Sequence, residues 1–158
     1  METLEVRYVK KDLLKGNCTY KTSDYYIEFI PEKVNSLNLS NEFYIIIDTI
    51  TITTIGEDKK EFYSIDAYTN SEIWNIDNSI IGPIQYNTGT IIFNKILQDD
   101  DRISVNITPK YYYNKSKNIL SIKLSEEKSS LFIKVSDCLF FGLYRGNLNE
   151  IILFINFV

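Results

Sequence analysis

An all-β domain is the fold class this sequence predicts, and three observations predict it. Ile dominates the apolar pool, the chain carries twelve Tyr and nine Phe, and apolar and polar residues alternate in several short runs. β-branched and aromatic side chains fit the pleated, half-buried surface of a strand. Alternation with period two puts one row of side chains in a core and the other in solvent. About nine strands separated by polar turns, with at most one or two short helices, point to an antiparallel β-sandwich or a closed β-barrel, with a strongly curved single sheet as the third option. At 158 residues the chain is expected to form a single domain, 1–158, large enough to bury a sizeable core.

Residues 3–9 alternate and open the domain as a strand. Residues 10–16 read as a turn or two of helix closed by Gly16, which tolerates a left-handed C-cap. Residues 25–30 form a strand that Pro31 stops, because proline cannot donate to a ladder. Residues 32–39 are ambiguous, a short helix being one reading. Residues 43–55 are the longest apolar run and read as one central strand, its second half setting Thr49, Thr51 and Thr53 against Ile50 and Ile52. Residues 56–60 turn the chain, and residues 61–69 return as the partner strand. Residues 71–86, with Trp74, Gly82 and Pro83, form the longest loop, after which residues 88–97 resume a strand. Ile103, Val105 and Ile107 alternate with Ser104, Asn106 and Thr108. Leu120, Ile122 and Leu124 alternate with Ser121, Lys123 and Ser125. Residues 131–145 run into a Gly146-Asn147 turn of type II′, and residues 148–158 run back. The last strand is so apolar that it is expected to lie inside a sheet.

The chain contains no histidine. Histidine is the usual proton carrier near neutral pH and the commonest metal ligand. Its absence argues against Ser–His–Asp and Cys–His hydrolases and most zinc, copper and non-haem iron sites. No metal or cofactor is expected. A net charge of −4 and a pI near 4.9 disfavour nucleic-acid binding, which needs a basic face for phosphates. They suit a basic partner instead, whose association charge accelerates. Glu2, Glu5, Arg7, Lys10, Lys11 and Asp12 interrupt the N-terminal segment, leaving no apolar stretch for a signal peptide. A cytoplasmic chain with Cys18 and Cys138 as reduced thiols is therefore expected. The longest uncharged apolar run, 151–158, is too short to span a bilayer.

Few residues carry a chemical signal. Asp99, Asp100 and Asp101 form the densest acidic run. It reads as a solvated turn, a contact for a basic partner, or oxygen ligands for a hard cation, though without the alternate spacing of a calcium loop. Asp48 interrupts an apolar run, either as a buried carboxylate that needs a partner or on a bulge that turns it outward. A hydrolase would require Asp48, Asp66 and Asp77 to converge as paired carboxylates do in glycosidases. Tyr111, Tyr112 and Tyr113 are consecutive, so at least one ring must point away from the core. Exposed tyrosines suit interfaces; the alternative keeps Tyr111 and Tyr113 in the core with Tyr112 alone at the surface. Trp74 is an interface anchor or a pin for its loop. Glu57, Asp58 and Asp99–Asp101 would form an acidic rim around these aromatic anchors.

The segment 135–151, Val-Ser-Asp-Cys-Leu-Phe-Phe-Gly-Leu-Tyr-Arg-Gly-Asn-Leu-Asn-Glu-Ile, resembles a hairpin of small bacterial β-rich proteins. Many of these are immunity proteins of polymorphic or contact-dependent toxin systems. The resemblance implies a cytoplasmic, non-enzymatic inhibitor that neutralises one cognate toxin through a tight protein–protein complex, and it transfers no binding residues. Two other readings stay open. One is a β-barrel carrier with an apolar interior cavity; the other is the carboxylate-dependent hydrolase.

Overall fold

The computed structural model describes residues 2–32, 41–94 and 100–158. Among the described residues strand accounts for 59% and helix for 5%, so the all-β expectation holds. Fourteen strands stand among the described residues where about nine were expected. They are β1 (Val6–Lys10), β2 (Gly16–Lys21), β3 (Tyr26–Pro31), β4 (Phe43–Ile47), β5 (Ile50–Ile55), β6 (Lys60–Tyr68) and β7 (Asn75–Ile76). The remainder are β8 (Asn87–Phe93), β9 (Arg102–Val105), β10 (Lys110–Asn114), β11 (Ile119–Lys123), β12 (Leu131–Ser136), β13 (Leu139–Tyr144) and β14 (Asn147–Phe157). Single 3-10 turns occupy Thr22–Asp24 and Ser71–Ile73.

The higher count has local causes. Residues 43–55 are two strands, because Asp48 takes a left-handed φ of 54° and folds β4 back on β5 with Ile47 opposite Ile50. Residues 131–145 likewise break at Asp137-Cys138, where Ser136 faces Leu139. The helix expected over 10–16 is absent; Leu14 bridges Ser136 in extended backbone, and β2 follows at once. The ambiguous stretch 32–39 lies outside the described residues beyond Glu32, as do residues 95–97 of the strand expected over 88–97. The last hairpin is present, but its turn sits one residue earlier. Arg145 (φ 49°) and Gly146 (φ 76°) are both left-handed, as a type I′ turn requires, and Tyr144 faces Asn147.

Two ladders share two strands. One runs β7-β10-β11-β14-β13-β12, and the other β14-β2-β3-β6-β5-β4-β9, with β1 paired to β8. β14 serves the first ladder through Leu153 and Phe154, then pairs Ile155, Asn156 and Phe157 with β2. β8 pairs Asn87 and Thr88 with β12 before Gly89 starts its ladder with β1. The pairing path returns to β8 only through two-residue ladders from β12 and β6. The result is one mixed sheet, with no clear barrel closure. Parallel pairs join β7 to β10, β8 to β12, β2 to β14 and β4 to β9, correcting the purely antiparallel expectation.

Aromatic rings fill the space between the ladders. Phe62 packs edge-on against Phe141 at 4.9 Å and lies 6.3 Å from Phe29. Trp74 sits 5.1 Å from both Tyr20 and Tyr113. Isoleucines 45, 47, 50, 52, 91 and 133 are wholly buried around them. The small void lined by Ile27, Glu28, Ile65, Asp66, Ala67, Ile122 and Leu153 is only about 10 Å³, space on the order of a single water. The centre that an interior carrier would keep open is occupied by side chains.

Candidate binding groove

The outer face of β10, β11, β14, β13 and β12 is built by register. Tyr112, Ser121, Ile152, Phe140 and Lys134 follow one another across the strands, and Lys110, Lys123, Glu150, Gly142 and Phe132 form the next row. Ile119, Phe140 and Ile152 are buried there, with Ile80, Phe132 and Phe154 packed against them. The loop after β7 supplies the cover. Ile80 tucks in, Gly82 lies against Phe154, and Tyr86 packs edge-on against Phe140 at 5.4 Å.

Between this loop and the strands runs a groove of about 1080 Å³, lined by residues 79–85 on one wall and by Lys123, Lys128, Ser130, Phe132, Glu150 and Ile152 on the other. A smaller depression of about 190 Å³ adjoins it and holds Asp77, Lys110, Tyr112 and Glu126. The groove's polar floor is the Glu150 carboxylate, which accepts from Ser121 (3.0 Å) and Ser129 (2.6 Å) and lies 3.3 Å from Lys123 Nζ. A buried carboxylate stands only when paired and hydrogen-bonded, and Glu150 has all three contacts. A bulge between Gly142 and Leu143 makes this possible. It leaves Asn149 unpaired in the ladder, and its amide donates to Glu127 O and Ser129 Oγ, anchoring the loop after β11. Gly142 leaves the room, since a Cβ there would sit 2.4 Å from Ser129 Oγ.

Charges at the smaller depression are paired. Lys110 Nζ lies 2.5 Å from Glu126, which raises the lysine's pKa and lowers the glutamate's. Asp77 accepts from the Ser79 hydroxyl and amide, and these bonds lower its pKa.

Ile81 and Ile84 line the groove, and further apolar side chains stand exposed on the same segment. Ile73, Ile76, Ile81, Ile84 and Tyr86 are all exposed, Ile84 by 81%. Scattered exposed apolar residues are ordinary on a protein surface; these five fall within one stretch, residues 73–86.

The expected site residues fall in separate places. Trp74 is 4% exposed and its indole N–H donates to Thr69 Oγ1 at 2.9 Å, so it pins the loop from inside and offers no anchor. Tyr113 is buried and Tyr111 packs against the core, where burial raises its pKa; Tyr112 faces outward at the smaller depression. Glu57, Asp58, Asp100 and Asp101 are exposed, and Asp99 lies outside the described residues. Asp101 pairs with Arg102 at 3.2 Å, and its carbonyl accepts from Tyr44 N–H. The β5–β6 turn and the start of β9 therefore share one end of the second ladder. Tyr111 lies beside the Asp48 turn at the opposite end of β4, about 17 Å away along the strand. The acidic residues do not encircle the tyrosines.

The hydrolase residues also stay apart in role. Asp48 is an exposed turn residue, Asp66 faces Glu28 across β3 and β6, and Asp77 belongs to the loop of the other ladder. Among the described residues no three His, Cys, Asp or Glu gather as metal ligands. No described helix is long and apolar enough to cross a membrane. Sequence reading missed the groove. Its one sequence signal is Asn149-Glu150, two polar residues inside an apolar strand.

Compared with protein-family models and with curated proteins, the chain matches none.

Proposed function

We propose that the chain is a non-enzymatic protein-binding domain that grips its partner with the loop of residues 73–86 and the groove beside it. The carrying observation is the exposure of Ile73, Ile76, Ile81, Ile84 and Tyr86 on one segment. An apolar centre ringed by Lys123, Lys128 and Glu126 has the make-up of an interface, whose energy comes from a few desolvated anchors. The resemblance of residues 135–151 adds the class of partner, a cognate toxin, and the compartment, the cytoplasm. The acidic end at Glu57, Asp58, Asp100 and Asp101 would then speed encounter with a basic toxin without touching it.

The test is titration against the product of the adjacent upstream gene. A nanomolar complex is expected, weakened about 100-fold by Ile81→Asp with Ile84→Asp, while Glu57→Lys with Asp58→Lys slows association and leaves dissociation unchanged. No measurable complex, or one indifferent to the isoleucine changes, overturns the reading.

A further inference from the structure

Cys18 and Cys138 are 120 positions apart in the chain, yet their sulfurs lie 2.9 Å from each other. The fold places them there. Phe154 N–H donates to the Cys138 carbonyl and Val158 N–H to the Tyr20 carbonyl. Both amides point to the same edge of β14, so β2 takes over that edge where β13 leaves it. Cys138 closes the turn before β13, Cys18 opens the register of β2 with Ile155, and the two thiols meet at the joint. The Cys18 thiol also approaches the Cys138 carbonyl at 3.2 Å.

We propose that this pair is a reversible disulfide site that staples β2 to the β12–β13 turn under oxidising conditions. The two sulfurs differ in access: Cys18 is wholly buried and Cys138 half-buried. Hydrogen bonds from Cys18 and from the Ser136 hydroxyl favour the Cys138 thiolate, while burial disfavours ionisation of Cys18. Thiolates, not thiols, react with peroxides. Cys138 therefore meets the oxidant first. With hydrogen peroxide, the Cys138 thiolate takes one oxygen to become a sulfenic acid and hydroxide leaves. The Cys18 sulfur then attacks the sulfenic sulfur; its proton and the sulfenic hydroxyl depart as water, leaving the disulfide. A dithiol reductant reverses the bond.

The experiment treats the purified chain with one equivalent of hydrogen peroxide, then alkylates under denaturing conditions and weighs the intact protein. Two alkyl groups are expected before oxidation, none after it, and two again after reduction. The oxidised monomer should melt roughly 10 °C higher than the reduced one. Cys138→Ser, a half-buried position, keeps the fold testable and should abolish the shift while Cys18 stays alkylatable. A disulfide-linked dimer, a sulfinic Cys138 beside a free Cys18, or an unchanged melting temperature in a fully oxidised monomer overturns the proposal.

Discussion

Asp66 shows how far a single residue can be followed. It sits half-buried directly opposite Glu28, with the Tyr26 and Tyr68 rings 4.9 Å apart beside it. Burial first, and then the Glu28 charge, raise its pKa from the ordinary 3.8. A raised carboxyl pKa means that the folded chain holds the proton to higher pH than the unfolded chain does. Stability therefore falls as pH climbs from that ordinary value through the raised one, and the ionised pair weakens the fold at neutral pH. Asp66→Asn should stabilise the protein at neutral pH by at most about 0.5 kcal/mol, given the solvent reaching the pair, and by nothing below the ordinary aspartate value. Urea denaturation near pH 3 and pH 7 checks this; an equal gain at both would refute it. The sequence placed Asp66 in the strand expected over 61–69, but its facing side and its neighbour depended on which strands pair and on the irregular register with β5. Glu150 follows the same logic. Its break in an apolar run was visible, whereas Ser121, Ser129 and Lys123 converge on it only through register.

At the scale of elements, period and composition identified strands well and turns poorly. Residues 43–55 are apolar on both sides of Asp48, so hydropathy carries no mark of the reversal. Only the tolerance of aspartate for left-handed backbone hints at it. The same blindness joined β12 to β13, and polar Asn17 and Thr19 hid β2, whose buried residues are Cys18 and Tyr20. The last hairpin was legible because glycine is a strong turn signal, though the turn uses Arg145-Gly146 and not Gly146-Asn147. Arginine gains nothing from a left-handed φ of 49°, while asparagine adopts it readily. Arg145→Asn should raise stability by about 0.5 kcal/mol, after losing the guanidinium's place over the Tyr144 ring. A shift of the urea midpoint upward at constant slope is the expected readout; a downward shift would show that the stacking outweighs the backbone strain.

The whole molecule is held together at two crossings, where β14 and β8 each leave one ladder for the other. Sequence alone could not show them, since a strand that changes partners keeps its alternation throughout. The crossings make the two ladders mutually dependent, and Trp74 reports on both because its ring touches Tyr20 of β2 and Tyr113 of β10. The β8 crossing is set by Gly89, which faces Lys10 as the strand turns onto β1. A Cβ there would lie 2.2 Å from the Val9 carbonyl oxygen and 2.7 Å from the Tyr8 ring, a backbone approach that no side chain permits. Gly89→Ala should cost about 2 kcal/mol through this overpacking. If the ladders fold as one cooperative unit, Trp74 fluorescence and far-ultraviolet circular dichroism will give one common midpoint in the native chain. In the variant both midpoints fall by the same amount, although Trp74 lies on neither β1 nor β8. Two separated transitions, or a variant that shifts the dichroism and leaves the Trp74 midpoint in place, would mean that the ladders unfold independently and that the crossings connect without coupling them.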